Sequence, residues 1–210
     1  MEHQPTMGST RTSVRIRTQL AQAALANREE RVRLGRATDA VLRKSANWHV
    51  AGRPLVETPH FARYRTDQHR HRYERALDAL GSGRASATEL ELVRALSAEI
   101  ASSRVIIKAD QMLLSGDIRE GLLLDRAESF VWATVHPLSA VESAEQRLPP
   151  GHSQSPIVYQ FRLDQPMPAL VCRAGRHGKW DLLLPRRLRV TVTATHQYRR
   201  LTVKEAVIGT

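Results

Sequence analysis

Asp181 is the residue whose surroundings most call for a chemical explanation. It stands in Gly178-Lys179-Trp180-Asp181-Leu182-Leu183-Leu184-Pro185, at the head of an apolar run that a proline stops. A basic turn, Arg186-Arg187, and an alternating Leu188-x-Val190-x-Val192 segment follow. This pattern predicts two paired strands of a buried sheet. Aspartate is disfavoured in strands and is seldom buried without a partner, so a carboxylate leading a buried strand implies a cation or a hydroxyl to meet it. The simpler alternatives are a strand-end carboxylate facing water and an Asp181–Lys179 pair.

Few other residues offer chemistry. Nine histidines invite a search for metal ligands, but His69-x-His71 lies in an arginine-rich stretch with no Cys or carboxylate cluster at ligand spacing, so no metal site is expected. The single cysteine, Cys172, sits in the apolar run Pro168-Ala169-Leu170-Val171-Cys172 and fits a buried structural thiol better than a nucleophile. The chain has neither a phosphate-binding glycine loop nor a dinucleotide glycine fingerprint, and its lone Cys and scattered Ser and His form no nucleophilic triad.

The 210 residues hold 32 Lys and Arg against 21 Asp and Glu, a formal net charge of +11. That balance favours acidic partners without choosing among nucleic acid, membrane surface and acidic protein. The arginines of 28 to 75 offer a face for a nucleic-acid backbone, but aromatics are only 5% of the chain and no helix-turn-helix or RNA-binding motif is present, so nucleic acid is a minor alternative. No apolar run is long enough for a membrane span, and the N-terminus lacks the hydrophobic core of a signal peptide. A soluble protein is expected, cytoplasmic unless exported by a route without such a signal.

The elements that would position Asp181 follow in order. Residues 1–13 are polar and aperiodic and are expected to be disordered. Val14 to Ser45 gives one or two basic helices with a weak apolar face, and Asn47 to Pro59 a linker. The predicted division is a basic, partly disordered or helical arm over 1–59 and a body over 60–210. In the body, Phe61 to Leu80 predicts one helix and Ala87 to Ile100 another. Strands are expected at 104–109 and 130–135, joined by a long connection through Ser115-Gly116-Asp117. A short helix is expected at 138–147, and strands at 157–163, 168–173, 181–185, 188–195 and 201–208. Helices followed by a run of short strands predict an α+β fold with strands packed as two sheets.

This order of elements, with Phe130-Val131-x-x-x-Val135-x-Pro137 and a late acidic residue before Leu182-Leu183-Leu184-Pro185, resembles the Arg-Ser-Glu class of mono-ADP-ribosyltransferases over about Phe61 to Val207. Within that class it is most similar to divergent type III effectors of plant pathogens, of the XopAI kind. The resemblance implies an ADP-ribosyltransferase-like split β-sandwich with N-terminal helices, an NAD cleft between the sheets, and transfer of ADP-ribose to an arginine of a host protein.

At the functional positions the chain departs from the family pattern. Lys108 stands where the family's arginine holds the dinucleotide, keeping the charge but losing the planar fork. Trp132-Ala133-Thr134 replaces a Ser-Thr-Ser strand, so an indole fills space expected to hold a small hydroxyl. Lys179 and Asp181 replace a Glu-x-Glu pair, placing a cation where a carboxylate would meet the target arginine and withdrawing the catalytic carboxylate by one methylene. A misplacement of about 1 Å at a reacting centre costs about a hundredfold in rate. The expectation is therefore a secreted effector, a pseudoenzyme with no cofactor. Its peptide-binding residues, Trp132, Ala133, Thr134 and Asp181, would hold an arginine-containing segment of a target protein through the Asp181 carboxylate and strand carbonyls. The Trp132 indole would occupy the nicotinamide volume, and an arm arginine, Arg36, Arg43 or Arg53, would compete for the same place. The rival is an active arginine-specific transferase using NAD, with Lys108 and Thr134 binding the cofactor and Asp181 catalytic.

Overall fold

The structure, a computed structural model, describes residues 7–27, 29–31, 33–34, 58–109, 111–116, 118, 129–148, 154–174 and 179–209. Helix α1 spans Met7–Leu25, α2 Pro59–Tyr64, α3 Asp67–Gly81, α4 Ala87–Ala101 and α5 Pro137–Gln146. The strands are β1 Ile106–Ile107, β2 Leu113–Ser115, β3 Val131–Thr134, β4 Ile157–Leu163, β5 Met167–Pro168, β6 Leu170–Ala174, β7 Lys179–Leu184, β8 Arg189–Tyr198 and β9 Leu201–Gly209.

Local capping accounts for α4 and for the break between α2 and α3, and tertiary contact for α1. Ser86 and Glu89 form a reciprocal capping box at the start of α4, the Ser86 side chain accepting from the Glu89 N–H and the Glu89 carboxylate from the Ser86 N–H. Val93, Leu96 and Ile100 then return at three- and four-residue spacing as its buried face. The single helix predicted over 61–80 is in fact two. Thr66 takes an extended conformation, φ −84° and ψ 133°, and its hydroxyl donates to the Arg63 carbonyl at 2.8 Å, ending α2 and starting α3. Helix α1 begins at Met7, inside the stretch whose composition predicts disorder. Tertiary contacts account for it, because Leu20, Ala23 and Ala24 are buried against the body.

Seven strands form one mixed sheet in the order β6-β7-β3-β2-β4-β9-β8, and β1 and β5 form a separate two-stranded ribbon. Three expectations change here. Only Ile106 and Ile107 of the strand predicted over 104–109 are paired, with β5. Strand β2 forms inside the stretch taken for a long connection, and three residues are too few to carry a readable period. The segment 178–195 is not a strand pair. Strand β7 pairs with β3 and β6, whereas β8 pairs with β9 at the far edge. Between them Arg187 adopts a left-handed φ of 61°, and Leu188 is buried in the core instead of turning a hairpin.

That short connection dictates the shape. In a flat sheet β7 and β8 would lie about 24 Å apart at the usual strand spacing. The chain from Leu184 to Arg189 spans at most about 18 Å. The sheet therefore curls on itself, with Ala133, Leu182 and Leu184 on one side and Phe161, Ala206 and Ile208 on the other joining one buried cluster between the two halves. Alternate residues of the same strands face outward. Leu183 packs under α2–α4 with Phe61, Tyr64, Tyr73 and Leu96, while Leu114, Val158 and Val203 pack under α1 and α5 with Leu20 and Val141. Edge strand β8 carries one irregularity, a shift of register between Val192 and Ala194.

Candidate functional site

Strands β3 and β7 run antiparallel with Trp132 opposite Leu183, Ala133 opposite Leu182 and Thr134 opposite Asp181. Directly opposed residues hold their Cβ atoms about 4.5–5.5 Å apart, which brings the Thr134 hydroxyl and the Asp181 carboxylate together. Because strand residues alternate, Trp132, Thr134, Leu183 and Asp181 share the face turned toward the helices. Ala133 does not join them: its side chain is 3% exposed and belongs to the core inside the curled sheet, and its backbone lies in β3, paired between β7 and β2, so the exposed carbonyl expected there is not found. The space between the sheet halves, where the resemblance puts the cleft, is filled by core side chains.

Trp132 is built into an aromatic group. Its ring lies parallel to that of Tyr64, 5.8 Å between centroids and 6° between planes, and 5.9 Å from Phe61. The guanidinium of Arg70, on α3, lies 5.4 Å from the Trp132 ring centroid and 6.0 Å from that of Tyr64. Such a cation–π contact is worth about 0.5–2 kcal/mol, more as it is desolvated. Two donors here are buried without a hydrogen-bond acceptor, the indole N–H of Trp132 and Nε of Arg70. Each buried group left in that condition costs about 1–3 kcal/mol, so the aromatic packing has to offset them or a ligand has to satisfy them.

The platform is anchored from α4. The Glu99 carboxylate accepts from the N–H groups of His60 and Phe61, both at 2.9 Å, and from the Thr58 hydroxyl, satisfying the open N-terminus of α2. Tyr73 holds the same helix, 3.0 Å from His60 Nδ1. Burial, with the Glu99 charge second, pushes the Tyr73 phenol up to about 12. It stays a neutral hydrogen-bonding group.

Thr134 is 6% exposed, and its hydroxyl accepts from the His136 N–H at 3.2 Å. Asp181 is partly buried and also faces Cys172 across β6. Lys179 lies two residues before Asp181 in β7, opposite Ala174. Lys108 is exposed just beyond β1, on the two-stranded ribbon and outside the sheet that carries Thr134 and Asp181. Arg36, Arg43 and Arg53 lie outside the described residues, as does the 47–57 linker. Among the described residues no three His, Cys, Asp or Glu side chains gather as metal ligands, and His71 lies 3.7 Å from Glu74 on the surface of α3. Sequence reasoning missed Arg70, Tyr64 and Glu99. Tyr64 was visible only as a helix-face aromatic, and nothing in the spacing of Arg70 or Glu99 marks them among many charged neighbours.

No protein-family model matches the chain, and none of the curated proteins does. Several solved structures are similar. The ADP-ribosyltransferase Vis, a toxin of Vibrio splendidus, superposes in complex with an M6 inhibitor at TM-score 0.51 and 14% identity, over 87% of this chain and 86% of that one. In complex with agmatine, Vis gives TM-score 0.50 and 15% identity over 89% of each chain. The ADP-ribosylating toxin BECa of a C. perfringens binary enterotoxin, with NADH, gives TM-score 0.50 and 11% identity over 82% of this chain and 48% of that one. The curled seven-strand sheet, its ribbon and its helical layer thus give the chain the α+β fold of the ADP-ribosyltransferases, a split β-sandwich with N-terminal helices.

Proposed function

We propose that the chain is a secreted effector of the type III, XopAI-like kind, in which the ADP-ribosyltransferase fold has become a binding site for an arginine-containing segment of a host protein. The observation that carries this reading is the arrangement of one face: the Asp181 carboxylate beside the Thr134 hydroxyl, and along the same strand an indole that already holds a guanidinium, that of Arg70. A guanidinium has five donors and no acceptor, so a carboxylate, a hydroxyl oxygen and an aromatic face suit it. The likeness to Vis with agmatine, itself a guanidino compound, supports the same chemistry.

The residues at the family's cofactor positions fit NAD poorly. Trp132 is a large indole committed to Tyr64 and Phe61, and Lys108 is exposed just beyond β1, outside the sheet that carries Thr134 and Asp181. The proposal keeps the division into an arm (1–59) and a body (60–210), with α1 of the arm docked on the body.

Calorimetric titration with an arginine-containing peptide and its lysine-substituted counterpart tests the reading. Preferential binding of the arginine peptide is expected, with Asp181→Asn weakening it by about 10- to 100-fold, the worth of a hydrogen bond to a charged group. Equal affinity for both peptides, or transfer of label from radiolabelled NAD to an acceptor that Asp181→Ala abolishes, would overturn it.

A further inference from the structure

A cavity of about 660 Å³ opens between Arg70 of α3 and the C-terminal end of α5, floored by Gly116 and flanked by Gln154 to Ile157 at the entry to β4. It contains neither Asp181 nor Thr134 nor Lys108 among its lining residues. We propose that this cavity is a second binding site, for a small organic oxyanion of about nucleotide size, with Arg70 as its principal cation.

Four observations point the same way. The lining includes two arginines, Arg70 and Arg147, and no Asp or Glu among the described residues. Arg70 is held by the faces of Trp132 and Tyr64, so little side-chain freedom remains to be lost when a ligand binds. The guanidinium of Arg70 has five donors and no acceptor, and its Nε is a buried donor lacking a partner, so the residue suits an oxyanion and not a cation. The volume lies within the range of about 300–1,000 Å³ typical of sites for organic ligands and exceeds what a bare ion needs. Gln154 and Ser155 offer polar contacts and Ile118 and Ile157 an apolar wall for the rest of such a molecule.

The proposal does not depend on the arginine-binding reading. The test is isothermal titration of the full chain with AMP, with its uncharged parent adenosine, and with citrate as the carboxylate source of the same chemistry. Saturable binding of AMP, citrate or both, and none of adenosine, is expected. Whichever oxyanion binds, its affinity should fall at least about tenfold in Arg70→Gln, as when a charge-assisted hydrogen bond is lost. Because Arg70→Gln also disturbs the aromatic stack, Gln154→Glu supplies the second variant: it places an acid at an exposed lining position away from the core and should weaken the same oxyanion several-fold. Asp181→Asn should leave oxyanion binding unchanged while weakening arginine-peptide binding, which separates the two sites. The proposal is overturned if neither oxyanion saturates at millimolar concentration, if adenosine binds as well as AMP, or if both variants retain the parent affinity. Loss of AMP binding in Lys108→Gln alone would overturn it as well.

Discussion

A Cβ added at Gly116 would run into the backbone of Ala140 and Ala144 on α5, so that helix lies directly on residue 116. The neighbouring atoms belong to a helix backbone and cannot swing aside as a side chain would. Gly116→Ala is therefore expected to lower stability by about 3 kcal/mol, the upper end of typical overpacking, and urea unfolding followed by circular dichroism measures it. A loss under about 0.5 kcal/mol, the scale of a surface substitution, would mean that α5 moves away easily. In the sequence Gly116 is one member of a Ser-Gly-Asp turn, and nothing near it announces a helix that begins at Pro137. The same holds at the site. Trp132 and Asp181 are conspicuous because an indole and a carboxylate are unusual in their strands, whereas Arg70 is one of several basic residues on α3, and only the fold lays it over Trp132.

Among the elements, α1 shows how a weak sequence signal becomes firm structure. Ser13 donates to the Glu205 carboxylate at 2.6 Å and receives the Gln160 amide at 2.6 Å, Arg17 pairs with Glu205, and Arg31 grips Glu145 with two 2.7 Å bonds. His196 stands among these groups, 3.3 Å from Arg17 and 3.6 Å from Glu205. Burial and then the Arg17 charge depress its pKa below the ordinary value, and they outweigh a Glu205 carboxylate already engaged by Arg17 and Ser13. A depressed histidine is neutral in both states above the ordinary value of about 6.5 and contributes no pH dependence there. As pH falls through about 6.5 the undocked or unfolded form takes up the proton first, and docking weakens. The protection of α1 amide hydrogens, corrected for the intrinsic slowing of exchange at lower pH, should thus fall between pH 7.5 and 5.5, and His196→Gln should flatten that dependence. The effect is held below about 1 kcal/mol because the pair is screened by solvent. Identical pH profiles for the parent and His196→Gln would refute it. Most elements were legible for a plain reason: β4 and β9 carry long β-rich runs, and α4 a clear apolar period. The three-residue β2 and the docking of α1 were not, since each depends on contacts made by residues distant in sequence, and the break at Thr66 rests on a single local side-chain bond that leaves no mark on the apolar period.

For the molecule as a whole, strand existence could be read but strand order could not. Local pattern places β7 and β8 next to each other in the chain. Their assignment to opposite ends of one sheet comes from the left-handed Arg187, the burial of Leu188 and the parallel pairing of β4 with β9. The fold class followed from counting helices before strands, and the split sandwich from the family likeness; periodicity alone gives neither the curl nor which face carries Asp181. The curl in turn separates the protein's polar work from its core. The cluster between the halves is apolar but for the Tyr159 phenol, and Trp132, Thr134, Leu183 and Asp181 lie on the other face of their strands.

The shift of register on β8 bears on how the molecule behaves in a crowd. Val192 faces Ala206 and Ala194 faces Glu205, so Thr193 is the extra residue, its hydroxyl donating to the Glu205 carbonyl at 3.3 Å. Strand β8 is a ten-residue edge with Val192 40% exposed, a shape that in a flat sheet would template addition of another chain. The bulge bends that edge and interrupts its run of free amides and carbonyls. Deleting Thr193 would straighten the strand into continuous register, and light scattering should then detect more concentration-dependent self-association than in the parent protein. A deletion variant that stays monodisperse at the same concentrations would mean that charge repulsion alone keeps the molecules apart. If the expected association is seen, one residue outside every site described above is what keeps this sheet from growing beyond a single molecule.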